Sequence, residues 1–305
     1  MKISFIAGLE EGFTCIKLVH KAGWDINTIF TLSDKHLNRS AYQSFSDIED
    51  LSSNFYYVDS VSEIREMLIN DRSPPDLIIL VGWSFIIPEE VIKIPKLGII
   101  GTHPTLLPKG RGAAPIPWSI ILGVEHSGIS WFYLNDKIDS GEVLIQKEFT
   151  IEFEDSAREV YDKAATATSE GLLEILPKIK DNTIQSFKTD LSHGYYLPRR
   201  KPKDGYIDWN KMTVFIFKWI KGLSEPYPGA FTFCNNIKYS IWNCKMLDNK
   251  KAINNSPGRI EKIDKNGVEV LTSDGSLLIT DMQLFGMSES IAFNEMDFTV
   301  GDYFN

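Results

Sequence analysis

The sequence predicts a doubly wound, mostly parallel α/β sheet followed by a smaller β-rich domain. Three observations predict it. Strand-like and helix-like segments alternate over the first 150 or so residues, the pattern of βαβ units. Asp76-Leu77-Ile78-Ile79-Leu80-Val81-Gly82 is a continuous apolar run following Pro75, as a strand buried on both faces requires. From Trp209 the chain changes character, and short β-like stretches separated by turn dipeptides replace the helices.

Taken in order, residues 2–7 read as a first core strand. Residues 10–22 read as a helix with Phe13, Ile16, Leu18 and Val19 on one side. Residues 28–31 read as a second strand. Residues 61–69 read as a helix, with Ile64, Met67 and Leu68 at helical spacing, and 97–100 as a short buried strand. Gly8-x-x-x-Gly12 after the first strand is not a dinucleotide fingerprint, so NAD is not inferred. Residues 156–180 form one long helix, N-capped by Asp155 or Ser156, with Val160, Ala164, Leu172, Leu173 and Leu176 as its apolar positions. Residues 183–208 contain prolines and mixed character, as an inter-domain connection does. A helix over 214–223 then precedes strands at 230–234, 238–243, 258–263, 268–272 and 277–284. Asn235-Asn236, Asn266-Gly267 and Asp274-Gly275 mark their turns. Residues 250–257 read as a polar loop.

Composition narrows the function classes. Of 305 residues, 43% are hydrophobic and 24% charged, ordinary for a globular protein. No stretch approaches the roughly 18 apolar residues that span a bilayer. The apolar N-terminal run is too short for a signal peptide. Cys15, Cys234 and Cys244 are scattered without metal-ligand spacing, which fits a reducing, cytoplasmic setting and structural thiols. No zinc-like cluster of His, Cys and Asp is present in the sequence, so no metal is expected. The net charge of −9, from 32 Lys+Arg against 41 Asp+Glu, argues against general nucleic-acid binding. The densest basic cluster, Arg199-Arg200-Lys201-x-Lys203, is as well explained by a solvated hinge as by a phosphate site.

Two segments carry candidate chemistry. In Ile99-Ile100-Gly101-Thr102-His103-Pro104 an apolar run ends on a histidine, and Pro104 holds His103 extended. His103 therefore stands at the carboxyl end of a buried strand, where ligands bind in open α/β sheets. A histidine there can trade protons near neutral pH. In the second segment Asp139 lies between Ile138 and the Ser140-Gly141 turn. It either caps its own backbone or orients an imidazole. Lys109, Arg111 and the glycines beside them offer positive charge and free N–H groups to an anionic ligand, or are solvent-facing turn residues. Trp83-Ser84-Phe85-Ile86-Ile87 is unusually apolar for a loop, as an aromatic ligand's slot or a core-packed helix start would be.

The pattern His103-x-x-Leu-Leu-Pro-x-x-Arg111-Gly112-x-x-Pro115-Ile116, with Asp139-x-Gly141 further on, resembles the 10-formyltetrahydrofolate-dependent formyltransferases. These include methionyl-tRNA formyltransferase, glycinamide ribonucleotide formyltransferase and the nucleotide-sugar N-formyltransferases. Arg199-Arg200-x-Pro202-x-Asp204-Gly205-x-Ile207-Asp208-Trp209 and Pro226-Tyr227-Pro228-Gly229-Ala230-Phe231 resemble the hinge and C-terminal domain of the sugar and tRNA members. The resemblance implies a Rossmann-like formyltransferase domain at 1–190, a linker at 191–208 and an OB-like β-barrel at 209–305. It implies that His103 handles protons, that Asp139 orients it, and that 10-formyltetrahydrofolate binds at Trp83, Phe85, Ile86, Ile87, Asn135, Asp136, Lys137, Ile138 and Asp139. Lys109, Arg111 and Arg199 are the expected acceptor contacts.

One position departs from the pattern. Gly101 stands where the family has asparagine, on the same strand face as His103. A gap beside the imidazole is expected there, filled by water or by Thr105 or Asn135. The leading expectation is formyl transfer to a nucleotide-linked amino sugar, without nucleic acid or membrane, and a homodimer is compatible with it. Methionyl-tRNA formyltransferase is the alternative, and a folate-binding member with lost catalysis is a third.

Overall fold

The computed structural model describes residues 1–36, 40–247, 256–287 and 292–305. Along it run β1 (Ile3–Ala7), α1 (Glu10–Lys21), β2 (Ile26–Leu32), β3 (Ser52–Val58), α2 (Val61–Asn70), β4 (Leu77–Val81), α3 (Glu89–Ile92), β5 (Ile99–His103), β6 (Arg111–Gly112), α4 (Pro115–Ile121), β7 (His126–Tyr133), β8 (Val143–Thr150), α5 (Ala157–Lys180), β9 (Tyr196–Leu197), α6 (Thr213–Leu223), β10 (Ala230–Cys234), β11 (Ile237–Met246), β12 (Ile260–Asp264), β13 (Gly267–Leu271) and β14 (Ser276–Leu284). Most of the polar loop expected at 250–257 lies outside the described residues. The chain divides into two units. One comprises Met1–Pro115, His126–Thr150 and Tyr161–Pro198; the other comprises Ile116–Glu125, Ile151–Val160 and Arg199–Asn305.

In the first unit a seven-stranded sheet has the order β3-β2-β1-β4-β5-β7-β8. The first five strands are parallel. β7 and β8 form an antiparallel hairpin added beside β5. β1 is buried throughout and β4 nearly so, which is why these segments carry only apolar runs. α1 buries Gly12, Cys15, Ile16 and Val19, an i, i+3, i+4, i+7 stripe. Ser156, rather than Asp155, caps α5. Its hydroxyl accepts the Glu159 N–H while Glu159 Oε2 accepts the Ser156 N–H at 2.6 Å, a reciprocal capping box.

β3 was not among the expected strands. It is a sheet edge, and Ser53, Asn54, Tyr56 and Tyr57 are exposed. No apolar run marks such a strand; its signal is the β-favouring Phe55-Tyr56-Tyr57-Val58.

The second unit holds a five-stranded antiparallel sheet, β10-β11-β14-β13-β12. All five strands fall where the turn signals put them. Asn235 and Asn236 adopt φ of 51° and 64°, the left-handed pair of a type I′ hairpin. α6 buries Ile216, Phe217, Ile220 and Leu223 in this unit's core. Residues 301–305 bond both edge strands. Phe233 N donates to Asn305 O at 2.7 Å on β10, and Ile260 N to Asp302 O at 2.8 Å on β12.

Candidate active site

β5 ends on His103 between β4 and β7, and the side chain is buried. Beyond it the chain turns through residues 104–110 and lays down β6. That loop is fixed from β7 and β8. Ser130 pairs with His103 across the ladder, and its hydroxyl donates to Thr105 O at 2.7 Å and accepts Leu107 N at 3.0 Å. Gln146 Nε2 donates to Ser130 Oγ at 2.8 Å and Leu107 O at 2.9 Å.

Asp139 sits in the β7–β8 connection at φ 47°. Gly141 makes that turn feasible, because a Cβ there would lie 1.6 Å from Tyr133 O. The structure brings Asp139 Oδ2 to 3.6 Å from His103 Nδ1. Two main-chain groups of β6 and its approach hold the pair. His103 Nε2 lies 2.8 Å from Gly110 O, and Gly112 N donates to Asp139 Oδ2 at 2.8 Å. A carbonyl only accepts, so Nε2 carries a proton and Nδ1 is the bare nitrogen of the neutral ring, a tautomer assigned from these partners. A proton taken up by the ring lands on Nδ1, facing the carboxylate. At 3.6 Å that edge makes no direct hydrogen bond to the carboxylate.

Gly101 shows a clear difference from expectation. No gap lies beside it, because a Cβ there would meet Leu134 Cδ1 at 2.6 Å. The Leu134 side chain reaches over from the end of β7 and takes the space. The hydroxyl of Thr105 and the amide oxygen of Asn135 are held by their own loops. Thr105 Oγ1 donates to Lys109 O at 2.8 Å, and Asn135 Oδ1 accepts Lys137 N and Ser140 Oγ, both at 3.0 Å.

The expected folate residues lie on two loops that share one apolar cluster. Ile87 belongs to that cluster, and Trp83 and Leu134 pack against it. Ile86, by contrast, is 76% exposed, and Phe85 leans on Trp83 and His36. The Trp83 Nε1–H is buried without a hydrogen-bond partner. Asn135, Asp136, Lys137 and Ile138 are exposed along the loop that ends in Asp139. Thus Ile87 is core, Trp83 and Phe85 are half-buried and Ile86 is surface, a split that the apolar sequence alone does not reveal.

Lys109 is exposed, but Arg111 is buried and committed. Its Nη1 donates to Tyr196 Oη and its Nη2 to Leu191 O, each at 3.2 Å. Arg199 is exposed in the second unit. Sequence reasoning passed over Ser130, Gln146 and Tyr196, and it offered the glycine N–H groups to an anionic ligand, whereas Gly112 N bonds Asp139 and Gly110 presents its carbonyl to His103. Of these, Ser130 left a signal, as a polar residue inside the apolar stretch 129–133.

A Cys, His, Asp and Glu cluster able to hold a metal is absent among the described residues, as is a helix long and apolar enough to cross a membrane.

Both halves of the chain match family models, one described as formyl transferase over residues 7–176 and one as formyl transferase, C-terminal domain, over 199–291. The chain belongs to the formyl transferase family, a family of enzymes. It is 31% identical over 288 residues to the methionyl-tRNA formyltransferase of Clostridioides difficile, covering 93% of this chain and 92% of that one. Its fold is similar to an N-formyltransferase from Helicobacter canadensis in complex with folinic acid and dTDP-3-aminofucose. There the TM-score is 0.70 at 13% identity, covering 93% of this chain and all of the other. It is also similar to HypX from Aquifex aeolicus in complex with tetrahydrofolic acid, with a TM-score of 0.67 and 19% identity. That match covers 93% of this chain and 44% of the longer HypX chain.

Proposed function

We propose that this enzyme moves the formyl group of 10-formyltetrahydrofolate to the amine of a nucleotide-linked amino sugar. The observation that carries the reading is the His103–Asp139 pair held between Gly110 O and Gly112 N at the carboxyl end of β5. The folate supplies the formyl group. The acceptor amine attacks its carbon, an oxyanion develops, and the amine must shed a proton. His103 takes that proton on Nδ1, with Asp139 orienting the ring and facing the charge so formed; the adduct then collapses by breaking its C–N10 bond, and the imidazolium returns the proton to N10 as tetrahydrofolate leaves. The pterin lies against Trp83, Phe85 and Ile86, with main-chain groups of residues 135–139 at its edge. The buried Trp83 N–H without a partner supports a polar ligand group there. Transfer belongs to residues 1–190. Residues 191–208 link them to 209–305, the first part of that linker being laid along β6.

Net charge of −9 favours a small acceptor over tRNA, since an RNA footprint is basic. The likeness to a sugar N-formyltransferase supports the same choice. Buried free thiols fit a cytoplasmic setting. Methionyl-tRNA formyl transfer is the second reading, favoured by the 31% identity to such an enzyme. The test is a screen of nucleotide-linked amino sugars with 10-formyltetrahydrofolate, following tetrahydrofolate release, with initiator methionyl-tRNA in parallel. Turnover of a sugar is expected. Turnover of the tRNA alone overturns the acceptor class, and no turnover with any acceptor makes this a folate-binding member without catalysis.

A further inference from the structure

We propose that Tyr196 is the stacking platform for the nucleobase of the acceptor, a reading that rests on the nucleotide-linked acceptor proposed above. Tyr196 pairs with Arg111 in the two-stranded β6–β9 ladder. The ladder is closed by Arg111 N to Tyr195 O at 3.0 Å and Ala113 N to Leu197 O at 3.2 Å. The approach is so close that a Cβ at Gly112 would stand 2.6 Å from Leu197 O. Tyr196 is therefore held on a fixed backbone, not on a swinging loop.

Its ring is held too. The Arg111 guanidinium lies 4.2 Å from the ring centroid, and Nη1 bonds the hydroxyl. Yet 56% of the residue remains exposed, so the open surface lies on the side away from Arg111. A rigid aromatic ring with one face covered and one open is a receptor for another planar π system. Arg111 has no carboxylate partner among the described residues, and Lys109 is exposed two positions away. Uncancelled positive charge beside an aromatic face suits a base that carries a diphosphate.

The position also fits. β6 holds the His103–Asp139 pair through Gly110 O and Gly112 N, and the residue between those glycines pairs with Tyr196. The reacting amine and the base of one acceptor are separated by its diphosphate, and here the catalytic pair and the platform are separated by β6. Tyr195 is 45% exposed, precedes β9 and gives the ladder only its main-chain carbonyl, which makes its side chain a control.

The experiment measures steady-state kinetics with the nucleotide-linked sugar that turns over, and calorimetric binding of dTDP and UDP. Tyr196→Leu is expected to weaken the nucleoside diphosphate and raise the acceptor KM on the order of tenfold or more. The KM for 10-formyltetrahydrofolate stays unchanged. Tyr196→Phe, which keeps the ring, and Tyr195→Ala are expected to stay near native. Unchanged diphosphate affinity in folded Tyr196→Leu overturns the platform and leaves the acceptor class standing. Native protein that binds neither diphosphate and formylates only methionyl-tRNA overturns both.

Discussion

At the scale of single residues, His103 and Gly101 define what the site can do. His103→Asn removes the proton acceptor without opening a large cavity. It should lower turnover by about 10²- to 10⁴-fold with the melting temperature little changed. A folded variant with near-native turnover would remove His103 from the mechanism. Gly101 is a packing partner of Leu134 instead of the rim of a gap. Gly101→Asn must push the Leu134 methyl aside, which should cost about 1 to 3 kcal/mol. Leu134→Ala should relieve most of that cost, so urea melts of the two single variants and the double variant should show coupling of at least about 0.5 kcal/mol. Additive costs would mean that the two side chains do not compete for one space. The sequence announced the departure at Gly101 but not its resolution. Leu134 lies 33 positions on, and only the register of β7 beside β5 brings it there.

At the scale of elements, α1, α5 and β5 meet around a carboxyl group. Thr168 Oγ1 on α5 donates to Glu11 Oε1 on α1 at 2.9 Å and lies 3.4 Å from Thr102 Oγ1 on β5. Burial pushes the Glu11 carboxyl up from 4.5 to about 7, with the Thr168 bond pulling the other way. Below 4.5 both the folded and unfolded chains hold this proton. Between 4.5 and about 7 only the folded chain does, so the stability it favours is lost as pH rises through that window. The loss is at most about 1.4 kcal/mol per pH unit. Glu11→Gln should flatten the pH dependence of the melting temperature and stabilise the protein at pH 8; an unchanged profile would show that the carboxyl ionises freely. Elements of this kind were legible from apolar period alone, as with 76–82 and 156–180. β3 and β9 were not. β3 is a polar-faced edge, and β9 is two residues long and exists only because β6 lies beside it.

For the whole molecule, the fold class was readable and the site only partly so. Side chains announce themselves in a sequence, and His103 and Asp139 did. Their closest hydrogen-bond partners are a carbonyl and an N–H, which every non-proline residue has. The second unit was legible strand by strand because its turns carry Asn and Gly. What that reading omitted is the path of residues 301–305 along both sheet edges. Unpaired strand edges are templates for other chains, and here one segment occupies two of them at once. Removing residues 302–305 would therefore bare stretches of two edges at once, the start of β12 and the Phe233 end of β10, whose Phe231 stays bonded to Ile207 N. A protein with a single sticky edge stops at a dimer, whereas one with two can add copies at either side. The truncated protein should grow into filaments or precipitate with rising concentration, as light scattering would record, and a species that stays monomeric or halts at two copies would mean that the edges are guarded by something else.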